Sequence, residues 1–200
     1  GLDEKFSKGH ERDAGQVFGN GGIATTFAAL SWFFPNEPWT WVGFAAALAG
    51  YLIIRSRAQA WPPPGSPALP GGLWVSTAIL AVLSAVLVMA VGRARAGRAS
   101  ETARLLASAT ALGAAFLVAQ AANWLRLDAA AERTMLVFGF WMLTVLHALH
   151  VLGGLVPLAI ATARAGRGRY LNDPEPVELV ANYWHFLGLT WLAIFAALAF

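Results

Sequence analysis

Three histidines lie deep within apolar stretches of the sequence and are the side chains best suited to chemistry. His147 and His150 lie in the uncharged run of residues 135–162, and His185 lies in a later apolar run. A spacing of three residues puts His147 and His150 on one face of a helix. Imidazole titrates near neutral pH and binds metals, so these residues suggest proton transfer, metal binding or haem ligation.

The number and spacing of these histidines argue against a metal or haem centre. A zinc or copper site needs three or four ligands, and the sequence has no cysteine to add to the imidazoles. Because His147 and His150 share one helix face, they cannot bind one haem iron from opposite sides. We expect structural, hydrogen-bonded, neutral histidines and no cofactor in this chain. The alternatives are a proton-related role and a haem b carrier that pairs His185 with one of the other two.

The composition is typical of a polytopic membrane protein. Of the 200 residues, 58% are hydrophobic and 12% are charged, and the mean hydropathy is +0.56. A soluble domain of this length could not bury so much apolar surface. The net charge of +3 comes from residues clustered between the apolar runs, so we attribute it to membrane topology and lipid headgroups. The sequence therefore predicts an all-α transmembrane bundle with no nucleic-acid partner.

Five apolar stretches are predicted to cross the membrane. Residues 23–34 are apolar but short, and the prolines of residues 35–38 separate them from the first predicted span. With five spans the Lys and Arg residues lie mainly on one side of the membrane, and with six they are divided evenly. Five spans with a cytoplasmic N-terminus are favoured, and six remain an alternative. The predicted spans are residues 39–54, 73–91, 105–125, 135–162 and 180–200.

We assign residues 1–200 to a single membrane domain with three parts. Residues 1–20 are a surface tail, residues 21–54 an atypical hydrophobic region, and residues 55–200 a four-helix part. Gln120 and Asn123 share a face of the third predicted span, which indicates hydrogen bonds between helices, with a proton or ligand path as the alternative. The hydroxyls of the second span are expected to bond to carbonyls of their own helix; they belong to Ser76, Thr77 and Ser84.

Four sequence motifs follow one another along residues 51–200. The first is YLIIR (51–55) with WPPPG (61–65), and the later ones are GAAFLVAQAANW (113–124), LTVLHALHVLGG (143–154) and YWHFLGLTW (183–191). The last three resemble G-x-x-F-x-x-x-Q-x-x-E-W, T-G-x-H-G-x-H-V-x-x-G and Y-W-H-F-x-D-x-x-W. In this order they resemble subunit III of the haem–copper oxidases, the cytochrome c oxidase family, and the chain resembles its short bacterial form.

The resemblance implies an accessory subunit without a catalytic centre of its own, located in a bacterial inner membrane. Such a subunit packs against oxidase subunits I and II, which hold the haem and copper, binds phospholipid in a cleft, and supports proton uptake. Arg55 would meet lipid phosphates. The residues that the resemblance assigns to helix packing or to the cleft are His147, His150, Gly154, Gln120, Asn123, Tyr183, Trp184 and His185.

Three carboxylates of the family pattern are missing from this sequence. The family's Ser-Glu pair would fall near Thr40, its glutamate falls at Asn123, and its aspartate falls at Gly188. These differences place carboxylate-dependent proton or inhibitor chemistry in doubt.

Residues 10–50 do not resemble subunit III at the level of motifs. The run HERDAGQVFGNGG (10–22) is similar to a stretch of a phytyl-phosphate-kinase-like membrane family, so a prenyl-alcohol phosphate kinase-like enzyme is one alternative function. The accessory subunit of nitric oxide reductase, with the same fold and a different partner, is another.

Overall fold

The computed structural model describes residues 38–128, 134–168 and 174–200, and the predicted surface tail lies outside them. Within these residues the chain is helical and contains no strand, which confirms the all-α prediction. The helices are α1 (Pro38–Arg57), α2 (Gly72–Arg95), α3 (Ala99–Asp128), α4 (Met135–Ala165) and α5 (Glu175–Ala199).

Four of the described helices, α2 to α5, are long and apolar enough to cross a membrane, so the chain is a multi-pass membrane protein. Each contains or overlaps one predicted span, and most extend beyond it because charged flanking turns remain helical outside the apolar run. Arg93 and Arg95, for example, occupy the last turn of α2, where a positive charge complements the helix dipole.

Helix α1 covers the first predicted span. It begins at Pro38, in keeping with the preference for proline in the first helical turn. Its 20 residues extend about 30 Å at 1.5 Å per residue, enough to cross a hydrocarbon core. A fifth crossing by α1 and a cytoplasmic N-terminus stay predictions. The short apolar stretch at residues 23–34 lies outside the described residues.

Helices α2 to α5 form a closed ring of antiparallel neighbours. Helix α2 packs against α3 and α5, and α4 packs against the same two helices from the other side. A tight turn at Gly97, with φ of 68°, joins α2 to α3 into a hairpin. At this end Arg95 pairs with Glu178 of α5 at 2.8 Å. Large side chains fill the interior of the ring, among them Phe116, Trp184 and Trp191.

Helix α1 packs across α4 and α5. The ring of its buried Phe44 lies 4.7 Å from that of His150 on α4 and 6.5 Å from that of Phe186 on α5, between centroids. One end of α1 is fixed closely to α4, since a Cβ on Gly139 would lie 2.5 Å from the ring of Tyr51. These contacts attach α1 to the ring formed by α2 to α5.

Candidate functional site

His147 lies in an enclosure of aromatic rings at the centre of the bundle. It is 0% exposed, and its ring centroid is 5.2 Å from that of Trp191, 5.7 Å from that of Phe116 and 6.2 Å from that of Phe44. Neither ring nitrogen has a hydrogen-bond partner among the described residues. This differs from the expected hydrogen-bonded histidine, because α1, α3 and α5 each present an aromatic ring to it.

His150 shares a helix face with His147 but has different surroundings. It is partly buried, and its Nδ1 donates a hydrogen bond to the carbonyl oxygen of Leu146, one turn earlier, at 2.8 Å. Its own carbonyl oxygen accepts a hydrogen bond of 3.0 Å from the hydroxyl of Tyr183 on α5. The backbone at His150, rather than its imidazole, therefore makes the hydrogen bond between α4 and α5.

Gly154 completes this contact between α4 and α5. A Cβ on Gly154 would lie 2.5 Å from Cε1 of Tyr183, so the tyrosine ring lies directly against the helix backbone. Tyr183 is 2% exposed. The histidine–glycine motif of α4 and the tyrosine of the closing motif thus form one helix–helix contact, the α4–α5 joint. Glycine leaves space there for the tyrosine ring.

Tyr183→Phe should weaken this joint without disrupting it. The ring keeps its packing, and the hydroxyl bond to the carbonyl of His150 is lost. Such interhelical hydrogen bonds in membranes average about 0.6 kcal/mol and reach about 1.7 kcal/mol. Unfolding in detergent measures the loss, and a loss well above about 1.7 kcal/mol would contradict the role of an ordinary interhelical hydrogen bond.

Trp184 fills the core next to the joint and packs against α3. A Cβ on Gly113 would lie 2.7 Å from the indole ring and 2.9 Å from Leu155 of α4. Trp184 is 1% exposed, and its Nε1 has no hydrogen-bond partner among the described residues. The glycine of the second motif therefore makes room for the tryptophan of the fourth.

Gln120 and Asn123 belong to a polar cluster between α2 and α3. The hydroxyl of Ser76 donates to Oε1 of Gln120 at 3.3 Å and accepts from Nδ2 of Asn123 at 3.3 Å. All three side chains are buried. Gly72 lies against the amide oxygen of Asn123. The cluster joins two helices through neutral hydrogen bonds.

His185 faces α2, away from the α4–α5 joint. Its Nδ1 lies 2.6 Å from the hydroxyl of Ser84. About two helical turns away along the same α2–α5 contact, Nε1 of Trp191 donates a hydrogen bond to the hydroxyl of Thr77 at 3.0 Å. Ser76 and Thr77 also donate to carbonyl oxygens of their own helix, as expected, whereas the bonds of Thr77 and Ser84 to α5 were not predicted. The missed signal is that these hydroxyls recur at helical spacing along α2, which indicates a packed face.

Arg55 binds the end of α5. Its Nη1 donates to the carbonyl oxygen of Ala197 at 2.8 Å, its Nη2 bonds to the carbonyl oxygen of Phe200, and its guanidinium lies 5.9 Å from the ring of Trp61. A cation at a helix C-terminus is favoured by the helix dipole. The contact of Arg55 with lipid phosphates stays a prediction.

The three histidines do not converge on one point. His147 lies inside the ring of helices, His150 near α1, and His185 on the α2 side of α5. The part of the chain that the structure describes contains no group of three or more His, Cys, Asp or Glu residues that could hold a metal ion.

Comparison with known proteins agrees with the sequence motifs. A family model described as "Cytochrome c oxidase subunit III" matches residues 23–200. The chain belongs to this family. The match begins at residue 23 and so extends further towards the N-terminus than the four motifs, which begin at residue 51.

Three subunit III relatives illustrate the similarity and are 27–33% identical to this chain. Cytochrome c oxidase subunit 3 of a Synechocystis species is 33% identical over 161 residues, which cover 76% of this chain and 66% of the relative. A probable cytochrome c oxidase subunit 3 of Mycobacterium tuberculosis is 27% identical over 162 residues, covering 78% and 80%. Cytochrome bo(3) ubiquinol oxidase subunit 3 of Pseudomonas aeruginosa is 29% identical over 158 residues, covering 76% and 75%. The chain spans just under two thirds of the Synechocystis relative.

Proposed function

We propose that this chain is the non-catalytic subunit III of a respiratory haem–copper oxidase in a bacterial inner membrane. The observation that carries the proposal is the family match over residues 23–200. Relatives named as subunits of two kinds of oxidase support it. Subunits I and II are the proposed partners, and they would hold the haem and copper.

The buried polar residues support a scaffold rather than a reaction centre. In the described residues they are Ser76, Thr102, Gln120, Asn123, Thr144 and His147, and none of these carries a fixed charge. Most of them bond to a neighbouring helix or to their own backbone. A rigid bundle of this kind can bury a face of a larger membrane protein and hold its surface in one conformation.

Lipid binding and support of proton uptake are the finer parts of the proposal. The outer surface of the bundle includes large apolar side chains that are at least 60% exposed, namely Val118 and Leu125 on α3 and Phe138 on α4. Such a surface is suited to contact with lipid acyl chains. The family's carboxylates are missing near Thr40 and are replaced by Asn123 and Gly188. Proton uptake would therefore be supported indirectly, by shaping the partner's surface and its lipid.

The two alternative functions differ in how much support they keep after the family match. The family match from residue 23 leaves residues 10–22 as the main support for a prenyl-alcohol phosphate kinase-like enzyme. The accessory subunit of nitric oxide reductase has the proposed fold with a different catalytic partner, so identification of that partner decides between them.

Purification in a mild detergent tests the proposal. A tagged chain should bring down a larger haem-containing subunit. The preparation should show a Soret band whose position and absorbance per co-purified partner are unchanged by His185→Ala, because the haem belongs to the partner. After the partner is removed, the chain alone should show no Soret band. A chromophore that stays with the isolated chain, or nucleotide-dependent phosphorylation of a prenyl alcohol, would contradict the proposal.

A further inference from the structure

A groove with a polar floor runs between α2 and α5 on the outside of the ring of helices. Its volume is about 380 Å³. Its rim includes Leu189 and Leu192, which are 63% and 51% exposed. Its floor includes Ser84 and the partly buried His185, whose side chains are 2.6 Å apart. The groove therefore combines an apolar rim with a hydrogen-bonding imidazole.

This imidazole lies near the middle of the bilayer. Ser84 is close to the midpoint of α2, which spans Gly72–Arg95, and His185 lies beside it. The Nδ1 atom of His185 is engaged with Ser84, whereas Nε2 has no hydrogen-bond partner among the described residues. A polar atom at this depth is costly to leave facing hydrocarbon, so such residues face protein or a polar cavity.

The depth of His185 limits what can cover the groove. An acyl chain offers no hydrogen-bonding atom, and lipid headgroups lie about 15 Å away, at the surface of a hydrocarbon core about 30 Å thick. The occupant must therefore carry a polar atom to mid-depth. Ala81 and Gly188 also line the groove, and residues this small allow another helix backbone to approach closely.

We propose that the α2–α5 groove receives a transmembrane helix of a partner oxidase subunit. A hydroxyl or amide side chain of that helix (Ser, Thr, Asn or Gln) forms a hydrogen bond with Nε2 of His185. Either tautomer of the imidazole is accommodated, because hydroxyls and amides both donate and accept. This inference rests on the proposed function, since it assigns the docking face of the same accessory subunit.

Site-specific crosslinking in the intact complex tests the docking face. The sequence contains no cysteine, so each single-cysteine variant carries one attachment point for a photoreactive maleimide. Ala81→Cys places the probe in the groove. Ala115→Cys, an exposed alanine on α3 outside the groove lining, is the matched control. We expect Ala81→Cys to crosslink to a partner polypeptide in several-fold higher yield than the control.

The outcomes of crosslinking separate the two proposals. If the oxidase co-purifies but Ala81→Cys crosslinks only to lipid or within its own chain, the docking inference is wrong and the proposed function stands. If no oxidase co-purifies with the wild-type chain, the proposed function itself fails.

Substitution of His185 tests the hydrogen bond. His185→Phe should lower retention of the partner during detergent exchange about threefold, the average worth of an interhelical hydrogen bond in a membrane. His185→Gln keeps a donor and an acceptor and should restore most of that retention. Retention by His185→Phe equal to that of the wild-type chain would overturn the proposed bond.

Discussion

Gly154→Ala is expected to lower the free energy of unfolding by about 1–3 kcal/mol, the usual cost of overpacking a filled core. The new Cβ would lie 2.5 Å from Cε1 of Tyr183, well inside van der Waals contact. The ring cannot easily move away, because it is 2% exposed and its hydroxyl is bonded to the carbonyl of His150. Unfolding of the purified complex or chain in detergent measures the change.

Gly153→Ala is the matched control for this prediction. A Cβ on Gly153 would meet nothing within 4 Å, and within a helix alanine is favoured over glycine by about 0.5–1 kcal/mol. Gly153→Ala should therefore be neutral or stabilising. Equal effects of the two substitutions would show that Tyr183 does not limit the space at Gly154.

His147→Ala is expected to be strongly destabilising, whereas His147→Leu should be close to neutral. Alanine leaves a cavity among Phe44, Phe116 and Trp191, and large-to-small changes in a core cost about 2–5 kcal/mol. Leucine fills most of that space. It also removes two nitrogens that lack partners among the described residues, and a buried unpaired polar group costs about 1–3 kcal/mol.

The measurement for His147 combines stability with turnover of the complex. Unfolding in detergent should separate the alanine variant from the leucine variant, while a complex assembled with His147→Leu should retain electron transfer and proton pumping. Loss of turnover in an assembled His147→Leu complex would show that the imidazole takes part in proton movement and is more than a packing residue.

The positions of α2 to α5 could be predicted from the sequence because they depend on local composition. A long apolar run marks each helix, and Arg93 and Arg164 lie near the ends of two of them. The pairing of side chains could not be predicted in the same way. Ser84 meets His185 and Thr77 meets Trp191 only because α2 and α5 are neighbours, which is a property of tertiary packing.

The surroundings of His147 could also not be predicted from its own helix. Its spacing from His150 placed both residues on one face, but the rings that enclose it come from three other helices. The motifs likewise begin at residue 51, whereas the family match begins at residue 23.

The hairpin of α2 and α3 has a consequence for biogenesis. Gln120 and Asn123 belong to α3, but the hydroxyl that bonds to both belongs to α2, which is synthesised first. If α3 left the translocon alone, two amides would meet lipid tails without partners, which is costly. The short connection through Gly97 keeps α2 next to the translocon while α3 is synthesised. We therefore expect the two segments to enter the bilayer as a pair during translation.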